Sequence, residues 1–410
     1  MNEFLQTKKM QLKCLAPIHI GSGNKLSKNE YIFDEDKGII YLLQQNKWLQ
    51  FLQDFNPANE KKETSSKSGS QIKGFVALAQ VLGHKSKEYL QEYKKYIIRN
   101  ARSEKPLSLY QWCINNDIKM TDAAACALAQ TYIKSDKNDL NDMMPFMRQA
   151  DGNIYIPGSS IKGTIRTALL YKLVKTAPQY KSWQRSLQQI RPSDKKSYES
   201  LAKEIEQAVF YKYEDFNDKG RKVTDARADI MRGLRISDAC INGTAETQVY
   251  RKYDISLYKD KRGKAEKKLP LYRECAPIDT SFSFAMTVEK QFMQSSGINS
   301  IEDVLQIMAD YTAEIVSLEK EVFNDYGRRY WDGRENMANI IIGGGSGFLT
   351  KTIIYSLLPR MEAVNIVKNY LDYKFKKHKH NILDRQVSPR TLKVAGDINN
   401  MYHIGLGLIE

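Results

Sequence analysis

Five cysteines and five histidines in 410 residues leave little material for a disulfide framework or a metal centre. Cys14, Cys113, Cys126, Cys240 and Cys275 are scattered, odd in number and form no C-x-x-C pair. This argues against a disulfide scaffold or a zinc site and for a reducing compartment. No histidine and carboxylate cluster shows ligand spacing, and His378 and His380 sit in a lysine run that disfavours a cation. No metal and no cofactor is therefore expected. Long apolar runs are missing too. The longest uncharged stretch of interest, residues 336–350, is glycine-rich and shorter than the ~20 apolar residues a membrane helix needs. Lys8, Lys9 and Lys13 interrupt any apolar run near the start, so the expectation is no signal peptide, no membrane and a cytoplasmic location. No tandem repeat of about 20 to 50 residues is visible.

Acidic residues are short relative to basic ones. Lys and Arg number 63 against 48 Asp and Glu, a formal charge of +15. Such an excess creates a field that attracts polyanions, here nucleic acid rather than lipid. With 42% apolar residues the chain can bury a real core, and its length suggests two or more domains.

The segmental pattern predicts strands over 10–20, 31–33, 39–42, 153–156, 233–240, 247–258, 276–288, at the start of 340–348 and over 405–410. Helices are expected over 48–55, from Ser160 onward, across 175–222 with breaks at Pro178 and Pro192, and over 301–323 and 363–377. Residues 58–70 read as a polar linker, and 71–135 as helices whose one face includes Ala124, Ala125, Leu128 and Tyr132. Residues 259–268, KDKRGKAEKK, read as a charged arm between strands, with Lys261 and Arg262 reaching outward. Strands interleaved with helices indicate an α+β fold, compatible with β-α-β-β-α-β units.

Three constellations carry chemistry. The first is Ile156 to Arg166, IPGSSIKGTIR. Ser159 or Ser160 is expected to cap the helix, and Ile161, Ile165, Ala168, Leu169 and Leu173 form its buried stripe. Gly163 costs about 1 kcal/mol against alanine, and Lys162 faces the positive end of the helix dipole. Both choices make sense if a phosphate backbone lies against this helix start, with Arg166 one turn on. The second is Gly343-Gly344-Gly345-Ser346-Gly347, followed by Phe348 and Lys351, where four glycines in five positions free backbone amides to line an anion. The order matches neither a Walker A loop nor G-x-G-x-x-G, so nucleotide hydrolysis is poorly supported. The third is a set of basic stretches with aromatics, 89–102, 259–268 and 370–380, in which bases track phosphates and rings can stack on nucleobases.

These motifs resemble those of the RAMP proteins of CRISPR systems. The resemblance rests on Pro17 to Gly23 (PIHIGSG), on Pro157 to Gly163 and on the late glycine loop. Leu26 to Tyr31, Arg232 to Asp238, Gly345 to Phe348 and Ser388 to Lys393 narrow it to type III-A (Csm) effector complexes. The resemblance implies tandem ferredoxin-like (RRM-like) modules: residues 1–57 plus 151–288 as the first, 289–410 as the second, and 58–150 as a mainly helical insertion. It implies a seat at the 3′ end of the guide RNA (crRNA), beside the filament RAMP subunit and the small helical subunit. Target RNA would be met indirectly, and guide trimming would fall to separate host nucleases. It places Gly21 and Gly23, then Ser159, Ser160 and Lys162, and then Gly344, Gly345, Ser346 and Gly347 near guide RNA, and the residues around these motifs and the charged arm add Ser22, Lys25, Arg166, Lys261, Arg262 and Lys351 as candidate RNA contacts. Filament subunits that cut target RNA resemble this chain but carry an aspartate in the loop after the first glycine turn. Here that loop, residues 24–30, is NKLSKNE, and Asp34 lies beyond it. The expectation is a non-catalytic subunit. The alternative is a metal-independent RNA endonuclease of the same superfamily with His19 as acid or base.

Overall fold

The computed structural model describes residues 4–55, 86–133, 140, 142–213, 225–241, 243, 246–259, 263–323, 331–396 and 400–410. Strand β1 (Leu5–Cys14) shows period-two burial in its second half, with Met10, Leu12 and Cys14 buried and Gln11 exposed. It pairs antiparallel with β11 (Ser281–Glu289) from Leu5↔Glu289 to Lys13↔Ser281, and Phe282, Phe284, Met286 and Val288 of β11 are buried in the same alternation. On its other edge β1 takes β15 (Leu406–Ile409), pairing Leu12 with Ile409. Among the described residues this first sheet has seven strands. Its order is β12 (Ile340–Ile341), β15, β1, β11, β8 (Ala239–Cys240), β6 (Tyr155–Ile156), with β7 (Leu234–Ile236) also on β11. It draws strands from both ends of the chain.

The second sheet has eight strands among the described residues. Its path runs β14 (Met401–His403), β13 (Thr391–Gly396), β9 (Thr247–Ser256), β4 (Ala127–Ile133), β3 (Ile39–Leu43), β2 (Tyr31–Asp34). Strand β10 (Glu266–Cys275) pairs antiparallel with β9, and β5 (Met143–Met144) pairs parallel with β10. Two expectations change here. Leu128 and Tyr132 lie on strand β4, not on a helix, because β3 and β9 supply hydrogen-bonding partners on both edges. The charged arm is in part strand β10, whose register shifts between Lys268 and Tyr272, around Pro270. Proline lacks a ladder donor and is tolerated in strands at such irregularities.

The helices are α1 (Gln45–Asp54), α2 (Ser86–Ala101), α3 (Leu109–Asn115), α4 (Met120–Ala125), α5 (Gly158–Leu173), α6 (Tyr180–Gln189), α7 (Lys195–Phe210), α8 (Lys290–Met293), α9 (Ile301–Val322), α10 (Ile354–Leu357), α11 (Arg360–Lys374) and α12 (His380–Leu383). Pro178 and Pro192 flank α6, as expected of residues that break helices. Ser300 and Asp303 form a reciprocal capping box that starts α9. The largest core packs α5 and α9 on the first sheet, where Ile161, Ile165 and Leu169 join Leu12, Phe284, Val304 and Met308. Tyr171 of α5 and Tyr311 of α9 meet edge to face at 5.1 Å. A separate aromatic core, with Trp48, Tyr96 and Trp112, holds α1 to the helices of 86–125. The architecture is mixed α and β, as the segmental pattern indicated.

Candidate nucleic-acid interface

Three segments far apart in sequence converge on one cleft of about 510 Å³. Gly21 comes from the first glycine turn, Ser159, Ser160, Gly163, Thr164 and Thr167 from α5, and Gly343, Gly344, Ser346, Thr350 and Lys351 from the second glycine loop. Ile20, Ile341 and Ile342 complete the lining.

The first turn is held by buried polar chemistry. Glu274 is fully buried, accepts from the Phe146 amide at 2.7 Å and from Thr247 Oγ1 at 2.5 Å, and forms an ion pair with Arg148. The His19 ring is 2% exposed, and its Nδ1 shares a 2.7 Å hydrogen bond with the Glu274 carbonyl. Burial holds the His19 pKa down at about 4, with Arg273 pushing the same way against the Glu274 hydrogen bond. The imidazole is therefore neutral at pH 7 and sits inside the protein. The Gly344 amide donates to the His19 carbonyl at 2.8 Å, which locks the two glycine turns together. A Cβ on Gly343 would lie 2.4 Å from that carbonyl oxygen, and its φ of +94° is one that L side chains rarely adopt, so glycine is required.

The start of α5 is built differently from the sequence expectation. Its N-cap is Pro157, and no side chain of the first turn caps it, so Ser159 and Ser160 do not serve as caps. Asp238 does this work instead, accepting from the Gly158 amide at 2.8 Å. The serines are left on the cleft side. Ser160, Gly163, Thr164 and Thr167 recur at helical spacing and form a small, polar face opposite the buried Ile161 and Ile165. A Cβ on the exposed Gly163 would meet nothing within 4 Å, so no packing inside the protein demands glycine there.

Other expected residues stand outside this cleft. Lys162 is half-buried, and partial desolvation holds its pKa low, with Arg166 adding to the effect and Asp229 opposing it. Arg166 pairs with Asp229 at 2.7 Å and lies 4.0 Å over the Phe210 ring, which ties it to the protein. Lys25 pairs with Asp142 at 2.7 Å. The Ser22 amide donates to the Pro145 carbonyl at 3.4 Å, and Gly23 turns the chain at φ +85°. Gly345 and Gly347 take φ values of +97° and +102° and shape the loop. Lys261 and Arg262 lie outside the described residues.

Sequence reasoning missed Thr164, Thr167 and Arg273. The threonines were legible, since they complete the i, i+3, i+4, i+7 stripe begun by Ser160. Arg273 was not, because residues 269–275 fall between the charged arm and the next expected strand, in no expected element. Its Nη1 lies 2.4 Å from where a Gly345 Cβ would be, and its Nε and Nη1 are buried without a hydrogen-bond partner among the described residues. Burial pushes its pKa below the usual guanidinium value, and burial likewise holds Lys351 below the usual lysine range, with the Arg273 charge adding to the effect. An anion at the loop would relieve this repulsion between cations. Among the described residues no group of three or more His, Cys, Asp and Glu is placed to hold a metal ion, and no helix is long and apolar enough to cross a membrane.

The family model of the RAMP superfamily matches residues 11–348, a range that contains both glycine turns and the start of α5, and the chain belongs to this superfamily. Within it, the chain is similar to the "CRISPR system Cms protein Csm5" of Mycobacterium tuberculosis (strain CDC 1551 / Oshkosh), at 24% identity over 99% of this chain and 97% of the relative. The protein of the same name from Enterococcus italicus is 23% identical, over 98% and 96%. Among solved structures, a chain of a Csm–crRNA–target RNA ternary complex of a type III-A CRISPR-Cas system shares the fold. It has a TM-score of 0.58 and 18% identity, over 99% of this chain and 100% of that one. The crystal structure of T. onnurineus Csm5 matches with a TM-score of 0.51 and 15% identity, over 97% and 99%.

Proposed function

We propose that this chain is a crRNA-binding subunit of a type III-A CRISPR Csm effector complex, seated at the 3′ end of the guide, and that the cleft holds ribose-phosphate backbone. The observation that carries this reading is the convergence of Gly21, the Ser160 to Thr167 stripe and the 343–351 loop on one surface, with Gly163 open to a partner the protein itself does not supply. Glycines permit close backbone approach, the Ser159 and Ser160 hydroxyls can donate to phosphate oxygens, and Lys351 with Arg273 behind it supplies positive charge. The names of the relatives and the composition of the structurally similar complex support the same reading.

In this reading the partners are crRNA, the filament RAMP subunit and the small helical subunit, with target RNA met through the guide. Guide trimming belongs to separate nucleases, and the chain is not itself a catalyst. The buried, neutral His19, held by the Glu274 carbonyl, gives the endonuclease alternative no support. The division into two ferredoxin-like modules around the 58–150 insertion, with β1 and β15 paired at their seam, is part of the same proposal. So is a cytoplasmic location.

The test is the salt dependence of the affinity of the purified chain for crRNA. Phosphate binding releases counterions, so log K should fall linearly with log salt concentration. Lys351→Glu should weaken binding across sequences and flatten that slope, by about one unit for each phosphate no longer neutralised. Affinity that ignores salt, or that is untouched by Lys351→Glu in a folded protein, would remove the cleft from RNA binding.

A further inference from the structure

The loop after the glycines has a second side. Between it, α7 and α11 lies a pocket of about 340 Å³, within the size range of small-ligand sites. Tyr198 of α7 and Tyr370 of α11 meet edge to face there, with ring centroids 5.5 Å apart. Phe348, directly after the last glycine, also lines the pocket and keeps 37% of its surface in solvent. Ile354 and Ile366 add apolar lining. Lys351 lines this pocket and the cleft alike, so the two sites are continuous through one cation.

A single exposed aromatic on a soluble protein calls for no explanation. Three rings around one cavity that shares a lysine with a backbone cleft do. A ribose-phosphate strand in the cleft carries bases that need somewhere to go. Proteins that bind single strands stack such bases on aromatic side chains, and this tolerates any sequence because every base has a π face. We propose that this pocket receives one unpaired nucleobase of the strand whose backbone lies in the adjacent cleft, stacked against Phe348 and the Tyr198–Tyr370 pair. The proposal rests on the reading of the cleft as an RNA-backbone site. It adds a base-binding subsite that selects for the presence of a base and not for its identity.

The test uses the full chain and two fluorescein-labelled probes of equal length, single-stranded oligouridylate and a strand of abasic sugar phosphates. Phe348→Ala combined with Tyr370→Ala should weaken oligouridylate binding about tenfold and leave abasic binding at its parental level, because stacking is removed while the phosphates stay bound. Tyr370→Phe, which keeps the ring, should bind both probes as the parent does. An equal loss on both probes, or none on either, overturns the subsite while the RNA reading stands. A parent that binds neither probe overturns both. Should the double variant fail to fold, ultraviolet crosslinking of the parent to 4-thiouridine-substituted strand decides. Crosslinked peptides containing residue 348, 198 or 370 support the pocket, and crosslinks confined elsewhere overturn it.

Discussion

Asp238 and Gly158, eighty positions apart, meet at the start of α5, where Asp238 Oδ1 accepts the Gly158 amide hydrogen at 2.8 Å. A Cβ on Gly158 would come within 2.3 Å of the Ile236 carbonyl oxygen, so the helix start and the strand segment carrying Asp238 are pressed together. An acceptor borrowed from another element leaves Ser159 and Ser160 to face the cleft. This gives the Arg232 to Asp238 motif a structural purpose: it anchors the helix that lines the cleft.

Asp238→Ala should therefore lower stability by about 1 kcal/mol, the ordinary worth of a helix N-terminal acceptor. Asp238→Asn, which keeps an acceptor oxygen, should lose less. Gly158→Ala should cost more than either, since the added methyl meets backbone. Urea unfolding followed by circular dichroism ranks the three variants, and an alanine at 158 that is better tolerated than one at 238 would contradict the packing described.

Gly163 separates folding from binding. With open space around its missing Cβ, Gly163→Ala should stabilise the protein by up to about 1 kcal/mol through helix propensity. Gly163→Gln should fold as well as the parent yet weaken RNA binding, because its side chain projects into the cleft. Thermal unfolding and RNA titration on the same samples check the pair. A glutamine variant with full affinity would mean that no strand passes over this turn of the helix.

The Arg148–Glu274 pair is buried, and breaking it from one side leaves an uncompensated charge. Arg148→Met or Glu274→Leu alone should each cost about 3 to 5 kcal/mol. The double substitution should cost less than the sum of the two. A double-mutant cycle by chemical denaturation measures the difference, and strictly additive losses would show the two charges to be uncoupled.

His19 makes stability depend on pH in a defined window. Its folded-state pKa of about 4 lies below the 6.5 of a free histidine, so the unfolded chain takes up a proton before the native state does. The stabilising contribution is complete above pH 6.5 and declines as pH falls from 6.5 through 4. The total loss is on the order of 3 kcal/mol. In His19→Gln this part of the decline should vanish. Parallel unfolding curves for parent and variant between these pH values would refute the assignment.

The sequence made α5, α6, α7 and α9 legible because their apolar spacing and their caps or proline boundaries are local. Gly21, Ser159, Ser160, Gly344, Ser346 and Lys351, drawn from three separate motifs, line one cleft. What it concealed depends on distant partners. Leu128 and Tyr132 of strand β4 continue the helix-like spacing of Ala124 and Ala125 on α4, and only pairing with β3 and β9 makes that segment extended. Strand β10 hides behind its lysines and Pro270. Arg166 looks like a free phosphate ligand until Asp229 and Phe210, far along the chain, occupy it. Strand propensity and charge accessibility are both set by tertiary neighbours that a linear reading does not contain.

Strand β15 lies between β1 and β12, and the Ile342 amide just before the glycine loop donates to the Gly405 carbonyl. On the ribosome, where synthesis runs from the N-terminus, the clamp on that loop is made after every other strand described here. A nascent chain thus holds the 343–347 loop without this support until β15 has emerged. Copies shortened before residue 405 would lack the Ile342–Gly405 bond and the β12–β15 pairing that fix the start of the glycine loop.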